Sequence, residues 1–359
     1  MIQFGDCYRD TRVLITGHTG FKGSWLAFWL DKLGARVCGV ALDPDTQPNH
    51  WDQLNLGADD NRLDIRDADS VREVVEKFRP QIVFHLAAQP LVRRSYREPI
   101  YNWSTNVMGT AHVLEACRHV DSVKAIVAIT TDKVYSNQEW TRGYSETDRL
   151  GGHDPYSASK AACELLIDSY RNAFFSDEDA PLLASARAGN VIGGGDWSED
   201  RLIPDLVRSV TENSSLLVRS PHATRPWQHV LECLSGYLLL GQRLLEKRRE
   251  FAEAWNFGPP PEANRTVTEI LIALQSHWPD LKWEQTDSLQ PHEATLLYLD
   301  HTKANEELDW RPIWDLDQAL RLTADWYRQF HEHGATSTAA QLDTYIADAQ
   351  SEGVCWVNE

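Results

Sequence analysis

The chain has 359 residues, a formal net charge of −18, and 42% hydrophobic and 25% charged residues. Its length calls for two cores or one large α/β unit, and its acidity argues against a general phosphate-backbone binder, which needs clustered Lys and Arg. No apolar run reaches the ~20 residues that cross a bilayer. MIQFGDCYRDTRV carries no signal-peptide core, and the six dispersed cysteines form no C-x-x-C pair. The expectation is a cytoplasmic protein with reduced thiols, no metal site and no disulfide frame.

In chain order, RVLITG (12–17) predicts a strand and SWLAFWLDKLG (24–34) a helix that closes on Gly34. ARVCGVALD (35–43) is strand-like, DADSVREVVEKFRP has helical spacing up to Pro80, and QIVFHLAA (81–88) is a strand again. Residues 105–119 predict a helix, 123–130 a strand, 157–175 a helix and 181–190 a further strand. Strands separated by helices predict a Rossmann-type, doubly wound, mostly parallel α/β sheet. From about Gly193 the chain turns richer in Gly, Pro and Trp. The expected division is a dinucleotide-binding domain over 1–187, with 228–257 returning to it, and a smaller C-terminal α/β substrate domain over 188–359.

The first strand runs into Thr16-Gly17-His18-Thr19-Gly20-Phe21-Lys22-Gly23. Glycines spaced G-x-x-G-x-x-G before a helix allow a tight turn and a close approach to a pyrophosphate, which the helix N-terminus then faces. A P-loop needs Gly-Lys-Ser/Thr, and Gly23 after Lys22 excludes it. Asp43, at the end of the second strand, can hold both ribose hydroxyls and would repel a 2′-phosphate, which favours NAD over NADP. Asp64 and Ile65 follow a short apolar stretch and are placed to reach an adenine.

Two further motifs carry chemistry. In AITTDKVYS (128–136) a hydroxyl, a carboxylate and an amine arrive consecutively at the end of a strand: Thr131, Asp132 and Lys133. In DPYSASK (154–160) Tyr156 and Lys160 stand four apart at a helix start, on one face. A nearby ammonium and a cationic nicotinamide both stabilise a phenolate, which fits Tyr156 to take a proton from a hydroxyl while hydride leaves the same carbon.

These motifs make the chain resemble the extended short-chain dehydrogenase/reductase family, within it the nucleotide-sugar 4,6-dehydratases. The resemblance runs through TGHTGFKGSWL, FHLAAQPLVRRSY, STNVMGT, TTDKVY, GGHDPYSASK, GNVIGGGDW, DRLIPDL, RPWQHVLE and PHEA, nearly to the end of the chain. GNVIGGGDW and RPWQHV are the marks of the branch that acts on CDP-hexoses. The resemblance implies a lyase that oxidises C4 of the hexose, expels the C6 hydroxyl as water and returns the hydride to C6, in deoxysugar and lipopolysaccharide O-antigen synthesis. It implies cofactor contacts from Gly17, Thr19, Gly20, Phe21, Lys22 and Gly23, then from Asp43, Asp64, Ile65, Ala87, Ala88 and Asn106, with Tyr156 and Lys160. It implies substrate contacts from Gln89, Asn190, Arg201, Arg225, His292 and Glu293. Thr131 would orient the C4 hydroxyl and Asp132 would be the acid. Lys133 stands where related dTDP-glucose enzymes have a Glu base, and it can act as a base only if its pKa falls from ~10.4. A homodimer through a four-helix contact of 105–119 and 157–175 is implied, with a tetramer left open. A nucleotide-sugar epimerase would share the fold and the Tyr–Lys pair without needing Asp132 and Lys133. A non-catalytic NAD-binding regulator would usually lose Tyr156 or Lys160. The tail after about residue 335 carries no usable signal.

Overall fold

The computed structural model describes residues 2–218, 220–286 and 296–358. The strands among the described residues are β1 (Arg12–Thr16), β2 (Arg36–Ala41), β3 (Asp59–Arg62), β4 (Ile82–His85), β5 (Ala125–Ile129), β6 (Leu182–Ala188), β7 (Asn190–Ile192), β8 (Leu216–Val218), β9 (Thr224–His229), β10 (Ala254–Phe257), β11 (Asn264–Thr266) and β12 (Trp283–Gln285). Seven of them form the central sheet in the order β10-β6-β5-β4-β1-β2-β3, and each pairing in it is parallel. The order reverses between β1 and β4, so the loops leaving their carboxyl ends diverge and open a crevice there. A three-stranded sheet (β11-β9-β7) and a two-stranded one (β12-β8) stand beyond it.

Apolar runs bury these strands because both sheet faces are covered. One face packs the helices Ala68–Phe78, Gly109–Arg118 and Pro155–Ala173. The other packs Phe21–Lys32, Val230–Leu245 and the C-terminal helices. Strand β3 reads DDNR and lies at the edge with mostly exposed side chains. It has no apolar alternation, so nothing in its sequence announces it.

Two helices depart from the expected bounds. The helix after the glycine loop starts at Phe21, earlier than Ser24, since Gly20 serves as its N-cap and Gly23 lies in the first turn. The stretch 105–119 is not one regular helix: Ser104–Met108 forms a π turn before Gly109–Arg118. There the Asn106 carbonyl accepts from the Thr110 hydroxyl at 2.6 Å and the Cys163 thiol at 3.0 Å. The tail folds onto the core as the helix Thr338–Ser351 and a last turn, with Trp356 stacked on Phe4 at 5.0 Å and the Tyr345 hydroxyl donating to Glu232 at 2.9 Å.

Candidate active site

The carboxyl ends of the central strands open on one cleft of about 1430 Å³. Gly17 has φ +78, and a Cβ there would stand 2.7 Å from the Ala87 amide nitrogen; a Cβ on Gly23 would stand 2.1 Å from the Gly17 carbonyl oxygen. The loop is therefore drawn tight against β4. No side chain caps the helix it opens, so the first-turn amides keep their donors for a ligand. Thr16 braces the loop from below: its hydroxyl meets His85 Nδ1 at 2.6 Å and accepts from the Ala87 amide at 3.2 Å. Burial pushes the His85 imidazole down to about 3, so the brace is a neutral one.

Thr19, Gly20, Phe21, Lys22, Asp43, Asp64, Ile65, Ala87, Ala88 and Gln89 line the same cleft. The Asp43 side chain is 88% exposed and 3.8 Å from Arg62, whose stronger partner is Asp60 at 2.7 Å. Asp64 is gripped by Arg66 at 2.6 Å. Ile65 is packed so closely that a Cβ on Gly109 would stand 2.5 Å from it. Asn106 lies behind the wall: its carboxamide accepts from the Gln89 amide at 2.8 Å and donates to Ser159 at 2.9 Å.

The helix Pro155–Ala173 carries Tyr156 in its first turn. Asp154 caps it by accepting from the Ser157 amide at 2.9 Å, Pro155 fills the first position, and Ser95 accepts from the Tyr156 amide at 3.2 Å. The Lys160 ammonium donates to the Ile129 carbonyl at 3.3 Å. Burial lowers the Lys160 pKa and raises that of the Tyr156 phenol, against a Thr131 hydrogen bond and the Arg201 guanidinium. After β5 the chain makes a single 3₁₀ turn, Asp132–Val134, in which Thr131 accepts from the Lys133 amide at 3.3 Å and donates to Asp132 at 2.9 Å. Asp132 is 3% exposed. Burial raises its pKa, opposed by Lys133, Thr131, Arg225 and Lys22.

The far wall comes from the second half of the chain. Asn190 begins β7, Arg225 lies on β9, and Arg201 pairs with Asp196 at 3.3 Å. Gly189 lies between Asp132 and Pro226, where a Cβ would stand 3.0 Å from the Asp132 carboxylate. Trp25 donates to the Gly194 carbonyl at 2.9 Å and so ties this wall to the glycine-loop helix. His292 and Glu293 lie outside the described residues. No spacing in the sequence assigns a role to Asp196 or to the ion pair Glu164–Arg187, which bonds to residues flanking the Asp132–Val134 turn. The only signal for Glu164 is its position one turn beyond Lys160.

A doubly wound parallel sheet, a glycine loop and a tyrosine–lysine pair on the facing helix define an extended short-chain dehydrogenase/reductase. Within that class the chain belongs to the family described as GDP-mannose 4,6 dehydratase, whose model matches residues 14–323. A CDP-glucose 4,6-dehydratase of Salmonella typhimurium is 48% identical over 328 residues, 89% of this chain and 91% of that one. Two solved structures share the fold. The UDP-glucose 4-epimerase of Thermus thermophilus in complex with NAD superposes with a TM-score of 0.78 at 25% identity, covering 89% of this chain and 99% of that one. The dTDP-glucose 4,6-dehydratase DesIV of Streptomyces venezuelae, with NAD and TYD bound, superposes at 0.75 and 23% identity, covering 90% and 98%. Among the described residues no helix is long and apolar enough to cross a membrane, and no cluster of His, Cys, Asp and Glu is arranged to hold a metal.

Proposed function

We propose that this hydro-lyase converts CDP-glucose to CDP-4-dehydro-6-deoxyglucose, with NAD regenerated at each turnover. The observation that carries dehydration is Asp132, a buried carboxyl on the turn beside Tyr156. An epimerase has no use for that second acid. The 48% identity to a CDP-glucose enzyme supports the base.

The glycine loop fits a dinucleotide, because its uncapped first-turn amides face the cleft and close packing leaves no room for a side chain at Gly17 or Gly23. Asp43 would take the ribose hydroxyls; Arg62, held by Asp60, is not free for a 2′-phosphate. The loop Gly17–Gly23 and Asp43 would hold NAD, which would supply a hydride acceptor at the hexose C4 and a hydride donor at C6. Tyr156 takes the C4-hydroxyl proton, Thr131 orients that hydroxyl, and the Lys160 ammonium favours the phenolate. Oxidation at C4 acidifies the C5 proton, for which Lys133 would serve as base in its neutral form. Asp132 protonates the departing C6 oxygen; burial keeps it protonated to higher pH than an ordinary carboxyl. Arg225 would grip the diphosphate, with Asn190, Arg201 and Gln89 as further substrate contacts, and His292 and Glu293 on the nucleotide side.

Exposed Ile100, Trp103, Met108 and Leu165 lie on the helical layer of 99–118 and 155–173, which supports a homodimer through a four-helix contact. Unpaired cysteines at all six positions support a reducing, cytoplasmic setting. A 4-keto-6-deoxy product would suit an early step of deoxysugar synthesis, of the kind that feeds a lipopolysaccharide O-antigen. The test is incubation with NAD and the CDP, dTDP, GDP and UDP hexoses. CDP-glucose should lose one water with no net accumulation of NADH. A product of unchanged mass, inverted at C4, would overturn the reading.

A further inference from the structure

We propose that the buried pair Glu164–Arg187 is a positioning device that clamps both ends of the turn carrying Asp132 and Lys133, and so serves water elimination specifically. The inference rests on the dehydratase reading and assigns function to residues off the cleft wall. Both side chains are 3% exposed, with 2.8 Å between Arg187 Nη2 and Glu164 Oε2. Glu164 stands one turn beyond Lys160 on the catalytic helix. Its carboxylate also accepts from the Thr130 hydroxyl, the Ser185 hydroxyl at 2.8 Å and Arg187 Nε at 3.0 Å. The other end of the guanidinium donates to the Tyr135 hydroxyl at 2.8 Å and to the Glu146 carbonyl at 3.3 Å. Tyr135 in turn donates to Asn256 on β10 at 2.7 Å.

Thr130 immediately precedes Thr131, and Tyr135 immediately follows Val134. One ion pair therefore fixes the entry and the exit of the four residues that hold the acid and the base. Of these clamping groups only Thr130 reaches the cleft. A buried ion pair is a weak stability device, since apolar residues of the same volume often do as well or better. What this one delivers is geometry. An acid displaced by about 1 Å can cost about 10²-fold in rate. Asn190 and Arg225, which would hold the nucleotide sugar, lie on β7 and β9 and take no part in these hydrogen bonds.

Removing Arg187 alone would strand a buried carboxylate and threaten folding, so the first variant is Tyr135→Phe. It keeps the ring and removes the hydroxyl that ties the exit of the turn to Arg187 and to Asn256. The second is the double change Glu164→Gln with Arg187→Met, which removes both charges together. The wild type is assayed first with NAD and CDP-glucose; failure of that control to lose water would sink the dehydratase reading itself. With the control active, Tyr135→Phe should leave the dissociation constant for CDP-glucose and the first C4 oxidation within about 2-fold, slow water loss by about 10- to 10²-fold, and build up reduced cofactor and 4-keto hexose. The double variant should show the same split, more strongly. A 6-deoxy-6-fluoro substrate, whose leaving group needs less protonation, should recover part of the rate in both. Unchanged elimination in Tyr135→Phe, or an equal loss in C4 oxidation and elimination, or weakened nucleotide binding, would overturn the proposal.

Discussion

On the β1–β4 side the cleft is lined largely by main chain: a glycine turn at φ +78, the uncapped start of a helix and the backbone around Ala87. On the opposite side it is lined by side chains, some of them held by ion pairs. Arg93 reaches Asp200 at 3.0 Å, and Arg201 reaches Asp196 at 3.3 Å. A wall made of backbone geometry tolerates almost no added atom and recognises what every dinucleotide shares. A wall made of side chains can change one residue at a time, which is where substrate choice and the second half of the chemistry can be built. The turn Asp132–Val134 and Tyr156 stand at the seam between them.

The severest way to break this contrast is at the seam. Tyr156→Phe removes the proton acceptor and little of either wall, so turnover should fall by up to about 10⁴-fold, while titration calorimetry still finds NAD and CDP-glucose bound with nearly unchanged affinity. Loss of cofactor binding would show that the phenol belongs to the backbone wall instead.

Asp132→Asn comes next. Water loss should fall by about 10²–10³-fold with C4 oxidation preserved, because the amide keeps size and hydrogen bonding but donates no acidic proton. The pH profile sharpens the test. Burial raises the Asp132 pKa, and the protonated form is the active one. Elimination should therefore persist above the usual carboxyl range and fall as pH rises through the raised value. In Asp132→Asn that falling limb should vanish. An alkaline limb surviving in the variant would assign it to another group.

The two walls also differ in how far the sequence exposes them. Strands β1, β2, β4, β5 and β6 are dominated by buried apolar residues, and the glycine loop follows from spacing alone, because backbone constraints leave a local mark. Thr131, Asp132, Lys133, Tyr156 and Lys160, from separate segments, gather on one cleft as their motifs imply. Strand β3 leaves no such mark: Asp59, Asp60, Asn61 and Arg62 gain their conformation from pairing with β2. The tail helix Thr338–Ser351 is placed by contacts such as Tyr345 with Glu232, more than a hundred residues away. Glu164 and Arg187 are equally silent. A buried ion pair is defined by two segments meeting, and neither segment alone distinguishes it from a solvated surface pair.

Arg225→Ala probes the side-chain wall with a smaller effect. Removing one charged donor to a diphosphate should weaken CDP-glucose binding by about 10- to 10²-fold, with the maximal rate changed far less and NAD affinity unaltered. A large fall in kcat would mean that Arg225 acts on Asp132, whose carboxyl it already biases, more than on the substrate.

Asp43→Ala should have the least effect, and it tests the one place where the backbone wall depends on a side chain. The carboxylate is almost wholly in solvent and its contact with Arg62, at 3.8 Å, is loose. An exposed pair of this kind contributes about 0–1 kcal/mol, so the fold should not register its loss. Two hydrogen bonds from ribose hydroxyls to a charged acceptor are worth more, but here they compete with water. NAD affinity should fall by about 10-fold, and the maximal rate at saturating cofactor should stay near wild type. NADP should gain only slightly, because the repelling charge is gone while Arg62 remains engaged by Asp60 at 2.7 Å. Adding Asp60→Asn should release that guanidinium and raise NADP affinity further. If NADP binds as well as NAD in the single variant, Arg62 is already available and Asp43 alone sets the cofactor choice. If neither affinity moves, the main-chain loop recognises the dinucleotide without help, and the contrast between the two walls is sharper than the placement of Asp43 implies.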